Sequence, residues 1–411
     1  MTGALADADT RRAAGMAAAQ LASNAIALIF TVVFARILGA SGYGSLAVLV
    51  SALIILAVPG SALQIAVARE LSRGLAQGDP AAGSGVWHWL ERLVVGTAIV
   101  AVAAIPLRDL IASIVNVDEV WAAAAIPVSA MLWAVLCVER GALQGLGSYR
   151  LVGLSLVGEA VGRLLFALAL VGVGLDVTGA FLGNALCFIA VGVALGLALR
   201  RRLPSSGRGS GVELRDLLAR ARVPVVALSL LFGLQELHII VVKHGVSDDA
   251  AGSYAVAAVA AKAIVWIAVG LGLYLLPEAA RRANAGIDAR PILTRSLAVI
   301  GLCALPALAI FTFGGEQLLS AAFGEDLTRS AGALPWLGLA MTMLSCTNLS
   351  VQYLLALHKR AFVGVLAVAV ILEVVVLASV GADLERLAFA LFVVQLACAV
   401  VVVTIAYRTT A

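Results

Sequence analysis

Long apolar runs in this chain are interrupted by a few ionisable side chains, and these are the residues able to do chemistry. Glu159 stands one helical turn before Arg163, the favourable order for an i, i+4 ion pair, with Gly158 and Gly162 beside them as G-x-x-x-G. The two either neutralise each other on a close-packed helix face or leave Arg163 as a cation on a cavity wall. Lys262 has no acidic residue within a turn of its own run. Either Glu236 neutralises it from a neighbouring helix, or it faces water and an anionic group such as phosphate. His238 follows Gln235 by three residues and shares its face, where an imidazole either exchanges protons near neutral pH or serves as hydrogen-bonded structure. Glu373 offers a carrier for a proton or cation, or a hydrogen bond to an adjacent helix. Arg36 and Arg69 sit where apolar runs end. All of these matter because a charge in hydrocarbon costs several kcal/mol unless a partner or water meets it.

Other chemistries are excluded. There is no phosphate-cradling glycine loop with its lysine, so the chain is not expected to hydrolyse nucleotide. No His and carboxylate cluster stands at catalytic spacing, and the segments between runs are too short to build an active site, the longest being near Gly315 to Ser330. The expectation is therefore no enzyme, no cofactor and no metal. Cys137, Cys187, Cys303, Cys346 and Cys398 all lie in apolar runs without metal-ligand spacing and read as core. Gln20, Asn24, Gln64, Asn184, Asn348, Gln352 and Gln395 read as interhelical hydrogen-bonding groups, or, facing one cavity, as partners for sugar hydroxyls.

The elements that must position these groups follow from composition. With 62% hydrophobic and 13% charged residues, and a mean hydropathy of +1.06, too little polar surface exists to solvate a water-soluble chain of 411 residues. A hydrocarbon core of ~30 Å takes ~20 residues per helix, which leaves room for about a dozen spans. Apolar runs place them near 13 to 37, 44 to 68, 86 to 107, 119 to 138, 151 to 172 and 177 to 199. A second set lies near 223 to 243, 250 to 277, 292 to 314, 331 to 357, 361 to 381 and 386 to 407. With twelve spans and a cytoplasmic N-terminus, 21 of the 28 basic residues fall inside and five outside, as the positive-inside rule requires. The net charge of +4 is thus a topology signal and not a nucleic-acid footprint. Both termini are expected in the cytoplasm of a cell-membrane protein.

The stretch Phe34 to Gly74 returns 208 residues later. Gly44 then falls on Gly252, Ser45 on Ser253, Glu70 on Glu278, Arg73 on Arg281 and Pro127 on Pro335. The chain reads as a duplication of two six-span halves, 1–199 and 223–411, joined by a linker over 200–222. Within that linker Leu214, Leu217, Leu218 and Ala221 recur at helical spacing and suggest a short helix on the membrane surface, or a basic loop that fixes topology.

Ala35, Arg36, Leu38, Gly39, Tyr43 and Gly44 form an A-R-x-L-G-x-x-x-Y-G turn, followed by an R-E exit at Arg69 and Glu70. This pattern resembles the polysaccharide flippase family of the multidrug, oligosaccharidyl-lipid and polysaccharide exporter superfamily. The resemblance implies an all-α integral membrane fold of two six-helix bundles related by a pseudo-two-fold axis. It also implies alternating access carrying a lipid-linked oligosaccharide outward, alongside membrane lipids and the glycosyltransferases of polysaccharide biosynthesis. Arg36, Arg69, Arg163 and Lys262 are then the headgroup candidates. Glu159, Glu236, His238 and Glu373 are candidates for ion coupling or charge pairing. A cation-coupled drug or metabolite antiporter of the same superfamily, and a membrane glycosyltransferase or ligase using the same carrier, stand as alternatives.

Overall fold

A computed structural model describes residues 2–78, 82–203, 216, 219 and 222–409. The described chain is all helical, with no strand among the described residues. This is the consequence of its composition: in hydrocarbon every backbone N–H and C=O must be satisfied within its own segment, which helices alone among open structures achieve.

The first half holds α1 (Thr2–Ala76), α2 (Ala82–Val115), α3 (Val120–Gly145), α4 (Tyr149–Gly172) and α5 (Asp176–Arg200). The second holds α6 (Arg222–Gly245), α7 (Asp248–Asn284), α8 (Arg290–Phe313), the short α9 (Gly315–Phe323), a 3-10 stretch (Glu325–Ala333), α10 (Leu334–Ala356), α11 (Phe362–Val380) and α12 (Leu384–Arg408). Among the described residues eleven helices are long and apolar enough to cross a membrane. The first of these, Ala18–Ala76, runs 59 residues, about 89 Å of helix at ~1.5 Å per residue and far more than one ~30 Å core. Gly39, with φ 68° and ψ −174°, breaks it in two, so the apolar segments supply twelve crossings. No side chain would crowd a Cβ at Gly39; the position needs glycine for its left-handed φ alone.

The described chain divides into two compact units, Met1–Thr31 with Ala52–Val225, and Val32–Ser51 with Val226–Ala411. The expected partition at 199 and 223 kept Val32–Ser51 with the first half, whereas its packing joins it to the second unit. The surface helix expected from Leu214, Leu217, Leu218 and Ala221 lies outside the described residues.

Within the first unit α2 packs on α3, α3 on α5 and α4 on α5. Within the second, α10 is central and lies against α7, α8 and α12. The segment near Gly315 to Ser330, expected to be a plain loop, is instead α9 and the 3-10 stretch. Ser253 of α7 holds this stretch by donating to Leu327 O at 2.8 Å and accepting from Ser330 N at 2.9 Å.

Candidate functional site

In the first unit the polar groups gather where α3 meets α4. Arg140 is 1% exposed, and its guanidinium donates from Nε to Ser155 Oγ (2.9 Å) and from Nη2 to Ser155 O (3.1 Å) and Glu159 Oε2 (2.7 Å). Glu159 is therefore hydrogen-bonded to Arg140, and of the two arrangements open for Glu159 and Arg163 the direct i, i+4 ion pair is not the one formed. The geometry explains the outcome: a helix-borne pair four residues apart must bend both side chains along their own helix, while Arg140 reaches Glu159 directly across the α3–α4 contact. Of the G-x-x-x-G pair, a Cβ on Gly162 would lie 3.0 Å from Cys187 Sγ, while one on Gly158 would meet nothing within 4 Å.

Arg163 is left with an apolar neighbour. Its guanidinium carbon sits 4.9 Å from the centre of the Phe30 ring, and its buried Nε has no hydrogen-bond partner. A cation on an aromatic face is favourable, but it leaves hydrogen-bonding capacity unused at mid-span.

Sequence reasoning missed Arg140 and its neighbour Glu139. The expected span ends at 138, but α3 continues to Gly145 and buries both. Glu139 Oε2 has no partner and lies against α5, where a Cβ on Gly196 would come within 3.1 Å of Oε1. The available signal was glycine: Gly141, whose Cβ would clash with the Gln64 carbonyl at 2.5 Å, marks a helix still in close contact beyond the charges.

In the second unit a single turn of α6, Leu234 to His238, gathers contacts from three segments, α1, α7 and α12. Glu236, 1% exposed, accepts from Lys262 Nζ of α7 at 2.7 Å, from Ser51 Oγ at 2.8 Å and from Gln235 Nε2 at 3.0 Å. Of the two arrangements open for Lys262, the structure shows neutralisation by Glu236, with both side chains buried. His238 Nδ1 lies 3.2 Å from Tyr254 Oη, and its Nε2 is buried without a partner. Gln395 Nε2 of α12 donates to Leu234 O at 3.0 Å and to Glu373 Oε2 of α11 at 2.8 Å. Glu373 Oε1 and Gln395 Oε1 have no donor.

That last pair yields a prediction. Glu373→Gln keeps the shape and adds an N–H donor where only acceptors lie unsatisfied, so it should not destabilise the fold by more than about 1 kcal/mol. Thermal unfolding in detergent checks this, and a large drop in Tm would show that the carboxyl itself holds α11 to α12.

The remaining candidates are placed elsewhere. Arg36 donates from Nη2 to Ala321 O at 2.6 Å and from Nε to Ala322 O at 3.1 Å, capping the last carbonyls of α9. Arg69 is exposed near the end of α1 and lines a groove of ≈ 640 Å³. Several amides bond locally, Gln20 to Asn24 and Gln352 to Asn348 among them.

No protein-family model and no curated protein matches the chain. Solved structures do. An inward-facing multidrug resistance MATE family transporter of the MOP superfamily aligns with TM-score 0.80 and 11% identity over 95% of this chain and 96% of its own. The lipid II flippase MurJ, in an inward closed conformation, aligns with TM-score 0.75 and 11% identity over 96% of this chain and 87% of its own. A mutant of the Vibrio cholerae MATE transporter VcmN aligns with TM-score 0.64 and 16% identity over 99% and 97%. Across nearly its whole length, the chain has the fold of transporters of the MOP superfamily.

Proposed function

We propose that this chain is a membrane transporter that moves a lipid-linked oligosaccharide across the cytoplasmic membrane by alternating access, with both termini in the cytoplasm. The observation that carries this reading is Arg163. It is a mid-span cation whose neighbouring carboxylate Glu159 is hydrogen-bonded to Arg140 and reaches it only through space, so its buried Nε remains for an anionic group. A pyrophosphate-bearing headgroup supplies that anion, and neighbouring apolar helix surface suits the attached chain. Lys262, paired with Glu236 here, becomes a second ligand only in a conformation that parts them. Energy would come from an ion gradient or from consumption of the product.

A proton- or cation-coupled drug antiporter is the second reading, favoured by the half-satisfied Glu373 and His238 in the second unit. Vesicles containing the purified protein separate the two. Under the first reading, a fluorescent polyprenyl-pyrophosphate oligosaccharide becomes accessible to an external quencher in wild type, and at least tenfold more slowly in Arg163→Met. A flipping rate unchanged by Arg163→Met, together with efflux of a cationic dye lost in Glu373→Gln, would replace the first reading with the second.

A further inference from the structure

The charged end of the first unit carries a feature that the cargo reading does not use. The groove beside Arg69 is formed by the last turns of α1 and the turn from α3 into α4, with Arg73, Gln144, Gly145 and Tyr149 on its walls. A second groove of ≈ 400 Å³ adjoins it and shares Tyr149, adding Ser148, Arg150, Arg202 and Leu154. Four arginines thus line a continuous strip, and no acidic residue is among the lining groups.

Their partners show which charge is spare. Glu70 is engaged by Arg73 at 2.6 Å, and Arg202 donates to Ser148 Oγ at 3.0 Å. Among the described residues no hydrogen bond or ion pair engages the Arg69 guanidinium, which is exposed at the groove.

The duplication supplies an internal comparison. At the 208-residue offset Arg69 corresponds to Pro277, Gly74 to Arg282, Gly145 to Tyr353 and Gln144 to Gln352. In the second copy Glu278 takes both Arg281 (2.7 Å) and Arg282 (3.1 Å), and hydrogen bonds from them hold its carboxyl down to about 2. Both copies carry two arginines to one glutamate, but in the second copy the one carboxylate engages both. Where the first copy has Gly145 as groove wall, the second has Tyr353, 1% exposed and filling the space; Gln352 is pressed against Gly272. The same helical frame holds both of its arginines on a carboxylate in one copy and leaves Arg69 unengaged beside a groove in the other.

The strip borders lipid-facing surface. Leu154 is 58% exposed and Tyr149 is 37% exposed, an apolar side chain and an aromatic with a polar tip that line the second groove together with Arg150 and Arg202. A phosphate held by guanidinium above an apolar wall is the arrangement an anionic lipid makes; a soluble phosphate has no use for the wall.

We infer that this strip is a binding site for the phosphate of an anionic membrane lipid, with Arg69 as its principal ligand and Arg150 and Tyr149 beside it. The lipid is held there and not carried, so the site stands whichever cargo the protein moves. The test uses full-length protein in phosphatidylcholine nanodiscs doped with phosphatidylglycerol, with retained lipid counted by native mass spectrometry after release. Wild type should retain phosphatidylglycerol over phosphatidylcholine, Arg69→Gln should retain it roughly tenfold less, and Arg69→Lys should recover most of the loss. Arg295→Gln, an exposed arginine in the second unit, should change nothing. Equal retention in wild type and Arg69→Gln would overturn the site. So would inorganic phosphate raising the Tm in an Arg69-dependent way while no phosphatidylglycerol is retained, since the anion would then be soluble and not a lipid.

Discussion

Replacing Arg140 by Met should destabilise the protein by about 3 to 5 kcal/mol, because it strands the Glu159 carboxylate in a nearly dry contact between α3 and α4. The same change removes the donors to Ser155 Oγ and Ser155 O. Adding Glu159→Gln to Arg140→Met should recover most of the loss, since the buried charge disappears with its partner. Arg163→Met is the informative contrast: no carboxylate is paired to it, so its stability cost should stay within about 1 kcal/mol while transport falls. Thermal unfolding of the purified variants in one detergent checks all three. A double variant no more stable than Arg140→Met, or an Arg163→Met variant as unstable as Arg140→Met, would show that the charges belong to one shared network.

Gly252→Ala should have a comparable effect through sterics alone. A Cβ there would collide with the Ala40 carbonyl, and one on Gly44 would lie 3.0 Å from Gly252 N. Both neighbours are backbone and cannot rotate aside, so the two helices must separate. The expected cost is about 3 kcal/mol, the upper range for overpacking a well-filled contact. Gly158→Ala is the matched control: its Cβ meets nothing within 4 Å, and the lost chain entropy of glycine makes it neutral or stabilising by roughly 0.5 kcal/mol. If the two alanine variants unfold at the same temperature, the Gly44–Gly252 contact is not a close one.

The spans were legible because they depend on a pattern lipid enforces along the whole chain: apolar runs cannot be interrupted cheaply. Pairing was less legible. The Glu236–Lys262 pair stood as one of two arrangements, since sequence shows neither which face of α6 looks at α7 nor how deep each residue lies. The Glu159–Arg163 pair likewise stood as one of two readings, because the spacing rule sees only one helix at a time, and Arg140 lay just beyond the expected end of its span at 138. The α9 cap by Arg36 was invisible for a related reason. It joins residues 285 and 286 positions apart, and nothing in a nine-residue helix announces which distant cation will close it.

The allocation of Val32–Ser51 to the second unit brings two segments with the same offset pattern into one unit. At the 208-residue offset its copy is the segment 240–259, which belongs to the same unit. Equivalent glycines, 44 and 252, meet there backbone to backbone. A contact in which each residue touches its own counterpart is what two identical chains make about a two-fold axis. Segments 32–51 and 240–259 thus meet as two equivalent halves would about a local two-fold axis, and a side chain larger than hydrogen at either glycine would push both apart.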